Sequence, residues 1–517
     1  MVCCVALLLR STGPFLQTNK NAHLVSHINM TAPFDIKKIA VIGAGPTGLA
    51  AARYLSAQGA FETVVVFEQQ AEVGGVWNYS EYPTTSLHVP QTDPFCPQDP
   101  PLRSKPGAPP VFPTPMYQSL HANTVKTTMN YKNAPFPDDT WVFPSRQSIY
   151  NYLVGYAKDV RHLIKFSHQV KSLALRQTDG RDQWDLEAAC TISGRKFTDT
   201  YDAVVIANGH YAVSFIPEVK GIEAFHKAHP STILHSKNYR VPKPFTGKKV
   251  IVVGNGPSGL DIARQISQVA DRVYLSVRHP TPPDKVHHIG VTEVPRIVEF
   301  VSGKRAVVYE GGKTEEDVDA VIYCTGFFFS FPFLPELLKP TLLTSGKGIR
   351  GLYQHLFLIQ HPTLAFPGLL IRTVPWPVAE NQAAALGAVW SNGLTLPPVE
   401  DQEKWELDLF KRRGDKNIHV LLDNGDDGRY INMLHDWVAQ STKKGKEPPY
   451  WRDEQFWERG VYWPSKQEFE KRGGTATTLR EIGFVYPGVG KWVHLGPKLL
   501  NPVVDSKRQS PDHQASL

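Results

Sequence analysis

Two stretches of the chain carry one pattern of apolar and small positions. Lys37–Gly48 reads KKIAVIGAGPTG, in which a charged start gives way to Ile39, Ala40, Val41 and Ile42 before glycines at 43, 45 and 48. A short apolar run of this kind predicts a strand buried on both faces. Leu49–Gln58 is rich in helix-forming Ala, with Gly59 placed to cap the end. A second strand, Thr63–Phe67, follows and ends in Glu68. Lys248–Gly259, KKVIVVGNGPSG, repeats the plan 211 residues later, with Gly254, Gly256 and Gly259 and then Ile262, Ile266 and Val269 at helical spacing. Each unit ends in a similar strand running into glycine, DAVVIANG at Asp202–Gly209 and DAVIYCTG at Asp319–Gly326. Such a repeat is far more specific than either copy alone.

Between and beyond these units the pattern is looser. Prolines recur from Pro83 to Pro115, which predicts a long irregular excursion. Order is expected again over Met116–Tyr131, and a helix where Ile149, Leu153 and Tyr156 share a face. Lys171–Val205 reads as strands joined by a polar turn at Thr178–Arg181. Pro377–Trp390 reads as a helix carrying Glu380 and Gln382, and the last hundred or so residues as helices packed on the first unit.

Composition narrows the function classes. The 517 residues suffice for more than one domain, and 41% hydrophobic with 20% charged residues is ordinary for a soluble globular protein. A net charge of +7 without a long basic block argues against nucleic acid as a partner. The five scattered cysteines form no disulfide framework, and the absence of a CxxC pair argues against dithiol redox chemistry and a zinc ribbon. No apolar run reaches the 18 or so residues a membrane span needs. Residues 1–34 are expected to be a disordered extension, with Met30 a natural start, and residues 501–517 a polar tail whose last three residues only loosely resemble a peroxisomal signal. A cytoplasmic protein is expected, with peripheral association at the endoplasmic reticulum or peroxisome left open, as is a homodimer.

The glycine spacing points to chemistry. A strand, G-x-G-x-x-G and a helix place a helix N-terminus against a pyrophosphate, at a turn where side chains would obstruct its approach. Glu68 lies 20 residues past Gly48, where an acid bonds the ribose hydroxyls of an adenosine. The later copy has no acid there; Ser276 and Arg278 take the place, and a guanidinium with a hydroxyl suits a 2′-phosphate that a carboxylate would repel. The first site therefore suits FAD and the second NADPH. The fold class expected is α/β, with two Rossmann-like dinucleotide-binding domains. The NADPH domain (211–326) is inserted into the FAD domain (35–210 and 327–500). Two redox cofactors without a dithiol or metal to receive electrons leave dioxygen as the acceptor, hence a monooxygenase.

Further motifs give the chain a specific resemblance. GGVW at Gly74–Trp77, FPSR at Phe143–Arg146, CTGF at Cys324–Phe327 and PTLAFPGL at Pro362–Leu369 resemble the class B flavin-containing monooxygenases. So does the second half of that family's identifying motif, at His235 and Tyr239, although His229 and Ser231 stand where Phe and Gly are expected. The resemblance implies NADPH- and O₂-dependent oxygenation of a soft nucleophilic N or S in a small molecule, by way of a C4a-hydroperoxyflavin. It further implies a role beside flavin and nicotinamide for Asn123, in a Leu120-x-x-Asn123 setting preceded by Ala122. The candidate cofactor-binding set is Gly43, Gly45, Pro46, Thr47, Gly48, Glu68, Gly75, Val76, Trp77, Ala122, Asn123, Gly254, Gly256, Ser258, Gly259, Asp261, Ser276, Arg278 and Gln382, with Asn123 also the catalytic candidate. Taken alone, Asn123 is equally a turn residue or helix cap, and Trp77 equally a core anchor. The competing readings are a Baeyer–Villiger enzyme, in which Trp would more often replace Tyr239, an uncoupled NADPH oxidase, and a flavin-binding scaffold without turnover.

Overall fold

The apolar run after Lys37 forms strand β1 (Lys38–Ile42), the helix α1 spans Pro46–Ala57, and β2 spans Thr63–Phe67. These belong to a computed structural model that describes residues 33–83, 87–103, 105–334, 342–421, 425–488 and 493–494. The expected tail at 501–517, and the expected extension up to residue 32, lie outside the described residues. β1 lies between β2 and the strand Ala203–Ile206, parallel to both. This makes the centre of a seven-stranded sheet completed by Ile164–Lys165 on one side and by short strands between Leu352 and Ala365 on the other.

Alternation along each strand sends successive side chains to opposite faces. Ile39, Val41, Ala203 and Val205 enter one core with α1, while Ala40, Ile42, Val204 and Ile206 enter another. Both faces being covered explains why the strand reads as continuously apolar. Burial of each such Val or Ile contributes about 1.5–3 kcal/mol. The Ala-rich face of α1, with Ala50, Ala51 and Ala52 fully buried, packs on the helix Pro375–Trp390, nearly all of which is buried.

A second sheet of five parallel strands lies between these parts of the chain, in the order Thr292–Pro295, Arg272–Val277, Lys249–Val253, Ala320–Tyr323 and Ile233–His235. It too is covered on both faces, with Val250, Val252 and Leu275 on one side and Ile251, Tyr274 and Val321 on the other. The chain leaves the first sheet after Ile206 and returns to it at Leu352, so the second unit is inserted into the first. The outgoing strand Val213–Ser214 and the returning strand Phe327–Phe328 pair antiparallel at the crossing.

Two expectations need correction. Met116–Tyr131 is mostly irregular and holds only a short helix, Lys126–Met129. The C-terminal helices do not all pack on the first unit alone: Asp426–Ala439 does, but Asp453–Lys471 also touches the second, where Lys285 lies over the Trp463 ring at 4.9 Å.

Candidate functional site

Both glycine-rich turns have the same construction. The chain leaves the strand through Gly43 at φ 105° and Gly254 at φ 107°, a left-handed bend that favours glycine. A Cβ on Gly48 or Gly259 would lie 1.8 or 1.9 Å from the carbonyl oxygen of Gly43 or Gly254, so each helix presses directly on its own turn. The middle glycines differ. A Cβ on Gly256 would meet nothing within 4 Å, and one on Gly45 nothing nearer than 3.5 Å. Packing within the protein accounts for the outer glycines, whereas the middle ones keep open a space beside the backbone for a ligand. Neither helix has a side-chain cap, and each begins at a proline, Pro46 or Pro257, which leaves the next N–H groups free to meet phosphate.

The two turns open into one cleft of about 1720 Å³, more than the ~300–1,000 Å³ of an ordinary small-molecule site. Of the residues singled out in the sequence, Gly43, Gly45, Pro46, Thr47, Glu68, Gly75, Val76, Trp77, Ala122, Asn123, Gly254, Gly256, Ser258, Ser276 and Arg278 line it. Four do not. Gly48 and Gly259 stand behind the turns. The Asp261 carboxylate accepts from Tyr117, Arg264 and Gln265, and Gln382 accepts from Gly368 N–H and donates to Tyr430, so both side chains are engaged within the protein.

Glu68 is buried at the end of β2. Its Oε2 accepts from Ala44 N–H at 2.8 Å and its Oε1 from Gln70 N–H at 2.9 Å, which leaves lone pairs for two ribose hydroxyls. Burial pushes its carboxyl up to about 7 against those hydrogen bonds. In the second unit Ser276 is buried and donates to the Pro295 carbonyl at 3.0 Å, while Arg278 is exposed and has no ion-pair partner among the described residues. Lys347 and Lys416, from beyond the second sheet, line the same cleft. Burial, then Lys416 and Arg278 nearby, pushes Lys347 down to about 8, a local excess of positive charge suited to a phosphate. Sequence spacing gave no sign of Lys347 or Lys416, which reach this place only through the fold.

Asn123 is exposed to the cleft between the two turns, and among the described residues neither its amide side chain nor its backbone N–H has a hydrogen-bond partner. The loop that carries it is nonetheless fixed. Ala122 N–H donates to Pro144 O at 2.8 Å, Leu120 O accepts from Arg146 N–H at 2.9 Å, and Gln118 N–H donates to Arg240 O at 3.0 Å. Asn123 therefore presents its amide to the cleft from a loop tied down by backbone hydrogen bonds on both sides. Trp77 lines the cleft and also packs on the first core.

Comparison with known proteins identifies the family. A model described as flavin-binding monooxygenase-like matches residues 113–282 and 283–444, and an NAD(P)-binding Rossmann-like domain matches residues 41–91. The chain belongs to the flavin-binding monooxygenase-like family. It is 31% identical over 451 residues to the flavin-containing monooxygenase FMO GS-OX-like 4 of Arabidopsis thaliana, covering 83% of this chain and 92% of that one. It is 28% identical over 405 residues to the thiol-specific monooxygenase of Saccharomyces cerevisiae, covering 75% and 85%. Among solved structures, S-allyl-L-cysteine S-oxygenase from Allium sativum shares the fold with a TM-score of 0.68 at 24% identity, covering 85% and 94%. The family establishes FAD and NADPH as cofactors of a monooxygenase, and the free middle glycines, Glu68 and Arg278 fit the two. Among the described residues no helix is long and apolar enough to cross a membrane.

The family motif residues lie outside the cleft. His235 is fully buried and held neutral, pushed down to about 3 by burial. Its Nδ1 accepts from Lys237 N–H at 3.1 Å, so Nε2–H donates to Gly326 O at 3.1 Å and pins the returning crossing. Tyr239 donates to Gln265 at 3.0 Å and packs on Tyr117.

Proposed function

We propose that this family member uses NADPH and O₂ to oxygenate a soft nucleophilic nitrogen or sulfur of a small molecule. In this reading residues 35–210 and 327–500 bind FAD, residues 211–326 bind NADPH, and the substrate enters where the units face each other. Gly43–Thr47 would hold the phosphates of FAD and Glu68 its adenosine ribose, with Gly75, Val76 and Trp77 beside the bound group. Gly254–Ser258 would hold the phosphates of NADPH, and Arg278 its 2′-phosphate, with Ser276, Lys347 and Lys416 nearby.

Bound FAD and NADPH would supply the redox chemistry, hydride from the nicotinamide and activation of dioxygen, by which one oxygen atom reaches the substrate and the other is reduced to water. The protein contributes no nucleophile; it holds the reactants together and excludes water. Trp77, Tyr211 and Phe327 present apolar surface for that exclusion. The observation that carries the proposal is Asn123, a fixed and unpartnered amide in the shared cleft. The thiol-specific relative supports sulfur as one substrate atom.

The test is oxidation of methyl p-tolyl sulfide and of N,N-dimethylaniline by the FAD-loaded protein, with NADPH consumed, product and peroxide measured together. Sulfoxide or N-oxide formed with NADPH consumption is expected. Peroxide alone, or an ester formed from cyclohexanone instead, would overturn the reading. Asn123→Ala should lower product per NADPH at least tenfold while thermal stability changes by less than ~0.5 kcal/mol, because its exposed side chain has no hydrogen bond to lose among the described residues.

A further inference from the structure

Lys466 lies on the helix Asp453–Lys471 and is about as buried as an apolar core residue, 7% exposed. Its ammonium donates to the carbonyl of Ala122 at 3.0 Å and lies over the rings of Phe143 and Phe469 at 5.0 and 5.5 Å. A peptide unit is planar and trans, so holding the Ala122 oxygen toward Lys466 turns the Asn123 N–H the opposite way. Lys466 thereby sets the plane from which the Asn123 side chain departs.

The same ammonium is 3.8 Å from Glu470, whose carboxylate meets Arg264 at 3.5 Å. Arg264 donates to Asp261 at 2.8 Å, and Asp261 accepts from the Tyr117 hydroxyl. Arg264 and Asp261 belong to the helix Pro257–Ser267, whose N-terminus forms the second glycine turn. The loop Tyr117–Asn123 is thus held at both ends, by Lys466 on one helix and by Asp261 on the other, and Glu470 joins the two holds.

A buried ammonium demands compensation, and Lys466 has it from the Ala122 carbonyl, the Glu470 carboxylate and the two ring faces. Glu470 and Asp261 favour its charge, Arg264 and burial oppose it, and burial is the largest influence, bringing it to about 8. His121, packed between Trp141 and Phe469, is pushed down to about 4 by burial and then by Lys466, so it adds no second charge.

We propose that Lys466 is a positioning residue for Asn123, and that the chain Lys466–Glu470–Arg264–Asp261–Tyr117 ties the pose of Asn123 to the position of the NADPH-binding helix. This rests on the role given to Asn123 above. It also gives Asp261 its place: it acts on the cofactor site through the loop.

The test compares wild type, Lys466→Met, Lys466→Arg, Asn123→Ala and the Lys466→Met/Asn123→Ala double variant, all loaded with FAD. Hydrogen exchange followed by mass spectrometry on peptides spanning 117–124 is expected to speed up about tenfold in K466M, with the first sheet unchanged and K466R near wild type. Product per NADPH with methyl p-tolyl sulfide should fall at least threefold in K466M, with the KM for NADPH within twofold of wild type and partial recovery in K466R. The double variant should be no less coupled than N123A, since one residue acts through the other. Wild-type exchange in K466M, or additive losses in the double variant, would overturn the proposal. Should wild type form no product, the function assigned above fails while the exchange arm still decides for Lys466. If K466M does not load FAD, Glu470→Gln leaves Lys466 in place, and unchanged exchange over 117–124 in that variant would equally overturn the link to the helix.

Discussion

The middle glycine of the second turn separates ligand chemistry from packing. Gly256 has φ −72°, which any residue adopts, and open space where a Cβ would stand. Gly256→Ala should therefore keep or slightly raise stability, by up to ~1 kcal/mol through the unfolded chain, while raising the KM for NADPH tenfold or more. Gly259→Ala should do the reverse first, costing ~1–3 kcal/mol or more because helix and turn must part. Thermal melts and NADPH kinetics on the two variants check both. Arg278→Ala should raise the KM for NADPH roughly tenfold to a hundredfold, as loss of a charge-assisted bond of ~1.5–3 kcal/mol implies, and leave that for NADH nearly unchanged. Equal effects on the two would remove the 2′-phosphate from Arg278.

At the scale of elements, the site depends on how the last helices are attached. Asp427, on Asp426–Ala439, accepts from Arg459 on Asp453–Lys471 at 2.8 Å and from Val374 N–H at 3.0 Å. Both side chains are buried, and Arg459 also lines the cleft. Asp427→Ala leaves the guanidinium buried without its partner and should cost ~3–5 kcal/mol. Denaturant unfolding of the variant measures it, and loss of FAD should accompany unfolding because this helix closes one side of the cleft. The earlier elements were legible because strand, glycine turn and helix follow one another within about 30 residues. The contact of the last helix with the second unit was not legible, since its partners Ala122, Asp284 and Arg264 are some 180 residues or more away in sequence.

For the molecule as a whole, acid stability follows from groups buried in one charge state. His121, His210, His235 and His419 are held neutral by burial, with values pushed to about 4 or below, and burial pushes His355 well down too. The unfolded chain binds protons at these positions as pH falls below about 6.5 while the native protein does not, so stability is lost between about 6.5 and 4. Glu68, Glu380 and Glu458 act in the opposite sense, being pushed up to about 7, but are fewer. The thermal midpoint should fall by on the order of 5 °C or more from pH 7 to pH 5. A midpoint that rises instead would show the carboxyls to dominate. Both nucleotide units and the pairing of FAD with NADPH were legible in the sequence alone, because each is encoded in a short contiguous pattern whose spacing is set by local backbone geometry, whereas Asn123 was singled out only by the family resemblance. Only the tertiary structure decided that Asp261 and Gln382 bond within the protein and that Lys347 and Lys416 join Arg278. It alone placed the Ala122 carbonyl on a buried lysine. Those are contacts between segments far apart in the chain, and their geometry exists only once the sheets and helices have packed.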